Sequence, residues 1–510
     1  MRGRTEDWRP AVFKTAPTRL LMKKHPPRDE EDEAVMVTRT FEEAVAEAEQ
    51  GDALSQYLLG VFYSEGIVVE QNDEMAAEWY LKAAEQGLSS AQLSLSVLYS
   101  IGCGVAKDDV QAANWMRKAA DQGVGEAQFS LSCMYGAGRG VPRDDAQAFF
   151  WLRKAADHDC AEAQCELGHK YREGQGVLRD NAQALEWFRK AAEQDFAEAQ
   201  VCLGCMYDDG CGVEQDPVEA VVWFKKAAEQ GFAEAQTYLA SMYDEGRGVR
   251  QDDAEAARWF REAAEQGEAD AQVCLGTMYD EGRGVPEDPV RAVEWFRMAA
   301  QQGDPDGQVC LGTMYDEGRG VPEDSEQAVV WFRKAAEQGL AEAQTCLGTM
   351  YDDGDGVRKD PVQAAKWFRK AAEQGDADAQ VCLAAMYDDG RGVPEDAVEA
   401  AEWFRKAAEQ GHVDAQVCLG AMYDDGRGIP RDFAQAAKWF RRAAEQGDAD
   451  AQVSLGMMYG EGRGLPRDLA KATKWFKKAA EQGHVEAQAY LDAVNAEDDD
   501  IPVTRPPTLH

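Results

Sequence analysis

The chain has 510 residues, of which 45% are hydrophobic, so it is long and apolar enough to fold over most of its length. Acidic residues outnumber basic ones by 94 to 54, which gives a formal net charge of −40 at pH 7. This charge disfavours binding to nucleic acid or to an anionic membrane surface, and no apolar stretch approaches the ~20 residues that span a bilayer.

Residues 1–38 form a tail that is first basic and then acidic. Its first part carries eight Lys or Arg residues against Glu6 and Asp7, and the acidic stretch DEEDE follows. Neither part shows hydrophobic periodicity, so disorder is predicted. A secretory signal is not expected, because a continuous apolar segment of about 7–15 residues is missing. The prediction is a cytoplasmic protein, with an organelle transit peptide in the basic segment as the alternative.

Tryptophan recurs at a fixed interval through most of the chain. Twelve Trp residues lie 36 residues apart from Trp79 to Trp475, and twelve Tyr residues keep the same interval from Tyr63 to Tyr459. A strict period of this length is typical of a solenoid. We predict the following parts: a capping half-repeat at 39–51, twelve repeats at 52–483, a capping helix at 484–495 and a disordered tail at 496–510.

Each repeat contains two helical patterns, called helix A and helix B below. In residues 268–303, apolar side chains with helical spacing include Leu275 on helix A, and Trp295 and Phe296 on helix B. Gly276 weakens helix propensity, which predicts close approach by a neighbouring helix. The predicted fold class is all-α, an α/α superhelical solenoid of tetratricopeptide-like helix–turn–helix repeats.

The turn between the two helices, EGRGVPED in residues 281–288, has features of a ligand loop. A dinucleotide fingerprint needs a third glycine after a strand, and a calcium loop needs alternating acids closed by a Glu. Gly282 and Gly284 fit neither pattern. Gly282 is instead predicted to end helix A, and Asp288 before Pro289 to cap helix B. No cofactor is predicted there.

Twelve cysteines are spread over the repeats. Six share one helix A position, where equivalent Cα atoms of neighbouring repeats lie ~8–10 Å apart, too far for a disulfide. Reduced structural thiols are therefore expected, which suits an intracellular compartment. Cys160, Cys165, Cys205 and Cys211 come from neighbouring repeats and leave a metal site open as an alternative. The prediction is no metal site, no cofactor and no catalytic residue.

The recurring pattern AQxxLGxMYxxGxGVxxDxxxAxxWFxKAAEQG resembles the consensus of Sel-1-like repeats, relatives of tetratricopeptide repeats. The resemblance covers about residues 40–495 and implies a non-enzymatic adaptor that holds proteins together. A cysteine-rich branch of the family, with penicillin binding, carries a paired disulfide in each repeat. This chain lacks the second Cys of each pair, which disfavours the alternative of a hydrolase or penicillin-binding enzyme. A monomer with protein partners is expected.

The helix A face away from the apolar stripe is the predicted partner surface. Asp occupies its last turn in seven consecutive repeats, a series called the acidic ladder below: Asp208, Asp244, Asp280, Asp316, Asp352, Asp388 and Asp424. An Arg three residues on, as in Asp280 and Arg283, would offset each charge, but Cys211 and Asp355 replace it in two repeats. Recent repeat duplication would also produce such a ladder. Our hypothesis is that residues 201–430 bind a basic segment of a protein partner. The candidate residues are the seven ladder Asp residues together with Val273, Thr277, Glu281, Thr313 and Thr349.

Overall fold

The computed structural model describes residues 41–496. Within that range every regular element is an α-helix, 26 in all, which confirms the predicted all-α fold of repeated helical hairpins. The chain divides into two compact units after Gln251. The predicted tail at 1–38, nearly all of the one predicted at 496–510, and the transit-peptide alternative lie outside the described residues.

The first unit contains α1 to α12, with the even-numbered helices at helix A positions: α1 (Phe41–Glu49), α2 (Ala53–Glu65), α3 (Asp73–Glu85), α4 (Ser89–Ile101), α5 (Asp109–Asp121), α6 (Gly125–Ala137), α7 (Asp145–Asp157), α8 (Ala161–Glu173), α9 (Asn181–Glu193), α10 (Ala197–Asp209), α11 (Pro217–Glu229) and α12 (Ala233–Glu245).

The second unit contains α13 to α26 in the same alternation: α13 (Asp253–Glu265), α14 (Ala269–Glu281), α15 (Pro289–Gln301), α16 (Pro305–Glu317), α17 (Ser325–Glu337), α18 (Ala341–Asp353), α19 (Pro361–Glu373), α20 (Ala377–Asp389), α21 (Ala397–Glu409), α22 (Val413–Asp425), α23 (Phe433–Glu445), α24 (Ala449–Glu461), α25 (Leu469–Glu481) and α26 (Val485–Ala496).

The helix ends follow the predicted cap chemistry. Gly282 ends α14 in the left-handed conformation, with φ of 68°, where a side chain would be strained. Asp288 begins α15 by accepting a hydrogen bond from the Arg291 N–H at 3.2 Å, and Pro289 occupies the first turn. The Asp288 N–H donates to the Tyr279 carbonyl at 2.8 Å, which closes the turn onto its own helix A.

The two helices of a repeat approach closely at a glycine. A Cβ added to Gly276 would lie 2.6 Å from the ring of Phe296, so the prediction of close approach there is confirmed. Leu275 and Phe296 are buried beside this contact. The aromatic ring therefore fills the space that a helix A side chain would otherwise take, which explains why Gly and Phe recur together.

A glutamine ladder links successive repeats and explains the AQ and EQG motifs. Gln272 is fully buried, and its Nε2 donates to the Ala264 carbonyl at 3.1 Å while its Oε1 accepts from Gln302 Nε2 at 2.9 Å. Each such glutamine thus joins helix A to the helix B before it and to the helix B after it. Because these amides are buried with both ends of the side chain bonded, losing one partner would leave a polar group unsatisfied.

Candidate functional site

The ladder carboxylates lie in the last turn of each helix A and are only partly accessible. All seven residues are half-buried, whereas Glu281, which follows Asp280, is exposed. Val273, Thr277 and Thr313 are also half-buried, and Thr349 is exposed. The exposed acids are therefore those next to the ladder rather than the ladder itself.

The charge on most of the acidic ladder is neutralised by arginines of the following repeat. Five ladder residues form ion pairs of 2.5–2.9 Å with an Arg located 39 residues further along the chain. Their side chains are only 12–17% exposed. The pairs are Asp208–Arg247, Asp280–Arg319, Asp352–Arg391, Asp388–Arg427 and Asp424–Arg463.

The turn glycines explain how Arg319 reaches the preceding repeat. Gly318 and Gly320 flank it with φ of 66° and 69°, and a Cβ on Gly320 would lie 2.2 Å from the Pro289 carbonyl oxygen. The turn after α16 is thus pressed against the start of α15, which no other residue would permit. Arg319 then extends to Asp280 at 2.7 Å, while its Nε contacts Glu317 of its own repeat at 2.6 Å.

This geometry corrects the partner suggested by sequence spacing. Asp280 pairs with Arg319 rather than being offset by the Arg three residues on, and Arg283 Nε instead contacts Glu281 at 2.7 Å. Cys211 occupies the arginine position of its repeat, but no arginine is needed there. The ladder position of the preceding repeat holds Arg172, which leaves no carboxylate to neutralise. Across the sequence, an Arg follows six of the seven ladder residues at the 39-residue interval.

Asp316 is the one ladder residue that has no Arg 39 residues further along the chain, and it faces an acid instead. The residue at the arginine position of the next repeat is Asp355, and burial together with the charge of Asp355 raises the pKa of Asp316 above its ordinary value. Between residues 41 and 496, no Lys or Arg forms an ion pair with either carboxylate, although Arg358 and Lys359 follow in the same loop. This gap in the arginine series is called the open rung below.

A second group of chemistry-bearing side chains lies between α8 and α10, where the sequence predicted no metal site. The donor atoms of Cys165, His169 and Cys202 all lie within 4.8 Å of one another. His169 Nε2 is 3.6 Å from Cys202 Sγ and 3.6 Å from Glu198 Oε1. Among the cysteines named as a metal alternative, only Cys165 belongs to this group.

The electrostatics of this group favour a thiolate. The hydrogen bond from Cys165, followed by that from His169, lowers the pKa of Cys202 despite its burial. Burial opposes protonation of His169, but hydrogen bonds to Cys202 and Glu198 raise its pKa to about 9. The signal in the sequence was the i, i+4 spacing of Cys165 and His169, which places both on one helix face.

A cavity of about 490 Å³ adjoins this group, since Cys165 and Glu198 line its wall. Phe129, Leu152 and Phe196 supply apolar surface to it. All twelve cysteines fall in the part of the chain that the structure describes, and none of them forms a disulfide there. None of the helices between residues 41 and 496 combines the length and apolar character needed to cross a bilayer.

Repeat length, cap chemistry and the Gly–Phe contact agree with one known repeat class. The sequence profile of the Sel1 repeat matches twelve consecutive segments, from residues 53–88 to residues 449–484. The chain belongs to the Sel1 repeat family. The matched repeats begin one residue after those read from the tryptophan interval.

Solved structures of Sel1 repeat proteins are similar to this chain. One is a protective antigen present in uropathogenic Escherichia coli strains, with 36% identity, a TM-score of 0.73, and coverage of 92% of this chain and 100% of the antigen. Another is a Sel1 repeat protein from Oxalobacter formigenes, with 37% identity, a TM-score of 0.49, and coverage of 61% and 90%. No curated protein matches the sequence significantly.

Proposed function

We propose that this protein is a non-enzymatic scaffold that binds a partner protein through the helix A face, with the open rung as its specific contact. Sel1 repeat proteins are typically protein-interaction scaffolds. The proposal goes further in naming the chemistry of the partner, a segment that presents arginine or lysine. The observation that carries it is the Asp316–Asp355 pair, the one ladder position where an acid replaces the expected arginine.

The open rung suits an arginine supplied from outside. At Asp280 and at Asp352, on the two sides of Asp316 in the chain, a guanidinium of the next repeat occupies the equivalent position. Arginine binds carboxylates with two parallel hydrogen bonds, so a partner side chain could contact both Asp316 and Asp355. Neutralising two acids would also remove their mutual repulsion, which strengthens the contact beyond that of an ordinary exposed pair.

The ion pairs at the other ladder positions narrow the predicted partner surface on helix A. A basic partner at Asp280 or Asp388 would have to compete with an arginine that is already in contact. We therefore place the charge contact on α16 and α18 rather than along all of residues 201–430. The neighbouring exposed acid Asp353 would add long-range attraction that salt screens.

The proposal also covers the oligomeric state, the localisation and the absence of enzymatic activity. The protein acts as a monomer in the cytoplasm, where its free thiols would stay reduced. The enzyme alternative, from the cysteine-rich branch of the family, needs a paired disulfide in each repeat. None of the twelve cysteines, all in the described part of the chain, forms a disulfide, which favours the scaffold over that alternative.

Selection from a displayed peptide library tests the proposal. The bait is the purified chain, either wild type or Asp355→Arg, which restores the residue found at this turn position in neighbouring repeats. We expect wild type to enrich peptides containing Arg or Lys, and Asp355→Arg to lose at least tenfold of their binding. Asp353→Asn, which removes an exposed acid without filling the rung, is the matched control and should retain most of it.

Two results would contradict the proposal. Wild type could enrich peptides without basic residues, which would remove the predicted partner chemistry. Alternatively, Asp355→Arg and wild type could bind the same basic peptides equally at about 50 and about 300 mM salt, which would show that the charge contact lies elsewhere.

A further inference from the structure

The repeat that contains α8 departs from the others at two positions on one helix face. Cys165 takes a position that holds Val, Thr, Phe, Leu or Tyr in the other repeats, and His169 takes one that holds Thr, Ser, Ala, Cys, Val or Met. Each departure occurs once, and both occur in the same repeat. Repeat duplication therefore does not account for them.

Helix geometry and repeat stacking bring these two residues to a third donor. Cys165 and His169 are one helical turn apart on α8, and Cys202 lies on α10, the helix A of the next repeat. Cys202 is 37 residues beyond Cys165, one more than the repeat length. Side chains of successive A helices thus meet with an offset of one residue, so the two thiols and the imidazole converge within 4.8 Å.

The separations suit a tetrahedral metal ion. Zn²⁺ binds thiolate sulfur at ~2.3 Å and imidazole nitrogen at ~2.0–2.1 Å, so tetrahedral ligand atoms lie about 3.3–3.8 Å apart. His169 Nε2 and Cys202 Sγ are 3.6 Å apart, and His169 Nε2 and Glu198 Oε1 are also 3.6 Å apart. Two thiolates and an imidazole form a donor set of the kind that zinc prefers. The Glu198 carboxylate contacts the imidazole but lies outside the group of donors within 4.8 Å of one another, so it would have to turn in to serve as a fourth ligand.

Burial supports the same interpretation. The two cysteines are 2% and 8% exposed, and the imidazole and the Glu198 carboxylate are 20% and 24% exposed. An ion at this place would be largely shielded from water, and a fourth ligand from Glu198 would leave no open position. Such closed sites are structural rather than catalytic. We propose that Cys165, His169 and Cys202 bind one Zn²⁺ ion that joins α8 to α10, with the Glu198 side chain turning in as the fourth ligand.

Arg172 must turn away when the ion binds. Its Nη2 is 3.0 Å from His169 Nδ1, and a guanidinium can donate to this nitrogen only while Nδ1 carries no proton. With zinc on Nε2, the neutral ring carries its proton on Nδ1, which cannot accept from Arg172. The Arg172 side chain is 37% exposed and has room to turn toward solvent.

Metal titration of the full-length chain tests the proposal. The protein is prepared with chelator and reductant and then titrated with Co²⁺, whose bonds to thiolate give an ultraviolet charge-transfer absorption. We expect saturation at about one Co²⁺ per chain and displacement of the cobalt by one Zn²⁺. The variants Cys165→Val and His169→Thr should bind the metal more than about 100-fold more weakly, since changes outside the ligand shell alone cost 10–100-fold.

The variants and controls come from the chain itself. Val and Thr occupy the equivalent positions in other repeats, as in Val273 and Thr277, so the substitutions suit the fold. Cys205→Thr, in the same repeat as Cys202 but outside the group, should bind cobalt like wild type. Absence of the cobalt–thiolate band in wild type would overturn the proposal, as would equal binding by Cys165→Val. A Cys165–Cys202 disulfide in the mass of freshly purified, reductant-treated protein would also overturn it.

Discussion

Two stretches of the molecule use the same repeat in different ways. From α14 to α22, successive A helices carry the same Asp, and an arginine of the following repeat neutralises it at Asp280, Asp352, Asp388 and Asp424. In the stretch from α8 to α10, α8 carries Arg172 at the ladder position and Cys165 and His169 near α10, where the ladder begins with Asp208. The first stretch is regular with one break, and the second is irregular at several places.

The comparison of the two stretches distinguishes residues that the fold requires from residues that only one site requires. The buried Phe, the helix A Gly and the buried Gln are present in both stretches, as at Phe188 and Phe368. The side chains that change lie on the exposed half of helix A or between adjacent A helices. A repeat array tolerates such changes because each repeat contacts only its neighbours. Departures from the repeat therefore mark the positions where we expect a partner or an ion to bind.

The largest expected effect is one that the two stretches share. Phe188 and Phe368 are 0% and 2% exposed, and replacement by Ala leaves a cavity that costs about 3–5 kcal/mol. We expect Phe188→Ala and Phe368→Ala to lower the free energy of unfolding in urea by similar amounts. A loss below about 1 kcal/mol in only one of them would show that the two stretches do not share one packing scheme.

Stabilisation by zinc should depend on residues between α8 and α10 and not on the stretch that begins at α14. If Zn²⁺ binds only the folded chain, the stabilisation is about 2.7 kcal/mol at a zinc concentration 100 times the Kd. We expect zinc to raise the thermal midpoint of the wild-type chain and of Phe368→Ala, but not that of His169→Thr. An equal rise in His169→Thr would assign the stabilisation to another site.

Filling the open rung should stabilise the regular stretch. Asp355→Arg replaces a repulsive pair by an ion pair with Asp316, which is worth about 0.2–1 kcal/mol for a partly exposed pair. The reciprocal change, Arg391→Asp, removes the partner of Asp352 and should destabilise by a similar amount. Hydrogen exchange of α16 and α18 measures the first change, and that of α18 and α20 the second. Faster exchange in Asp355→Arg would contradict the pairing scheme.

The smallest effect is a dependence on pH. Because burial and Asp355 raise the pKa of Asp316, the folded chain binds this proton more tightly than the unfolded chain. Stability from the protonated form is therefore present in acid and is lost as the pH rises through the raised pKa. Asp316→Asn should be slightly more stable than wild type at pH 7, by less than about 1 kcal/mol. Urea unfolding at pH 7 and pH 4 should show this advantage shrinking in acid; a constant difference would contradict the assigned pKa shift.

Much of the fold could be predicted from sequence, because its determinants are local or strictly periodic. The interval between tryptophans defines the repeat, and Asp288 with Pro289 marks a helix start by cap chemistry that acts within four residues. Gly276 indicated a close contact because a glycine that weakens a helix needs a packing reason. These inferences need no knowledge of how one repeat sits on the next.

The contacts at the open rung and around Cys202 depend on how one repeat packs on the next, which the sequence alone does not show. Sequence spacing offered Arg283 as the partner of Asp280, since the two are close along the chain, whereas the contact comes from Arg319 in the following repeat. Equivalent cysteines of neighbouring repeats share one helix A position, but Cys165 and Cys202 are 37 residues apart, one more than the repeat length. Their thiols lie close together although the two residues are not at equivalent positions.

The most direct test of the proposed partner contact is to move the open rung by one repeat. A basic peptide selected on the wild-type chain is titrated against Asp355→Arg and against the double variant Asp355→Arg with Arg391→Asp. We expect at least tenfold weaker binding to the single variant. We expect binding to recover in the double variant, where the carboxylate introduced at position 391 would face Asp352. Equal affinity of the peptide for wild type and Asp355→Arg would contradict the proposed contact.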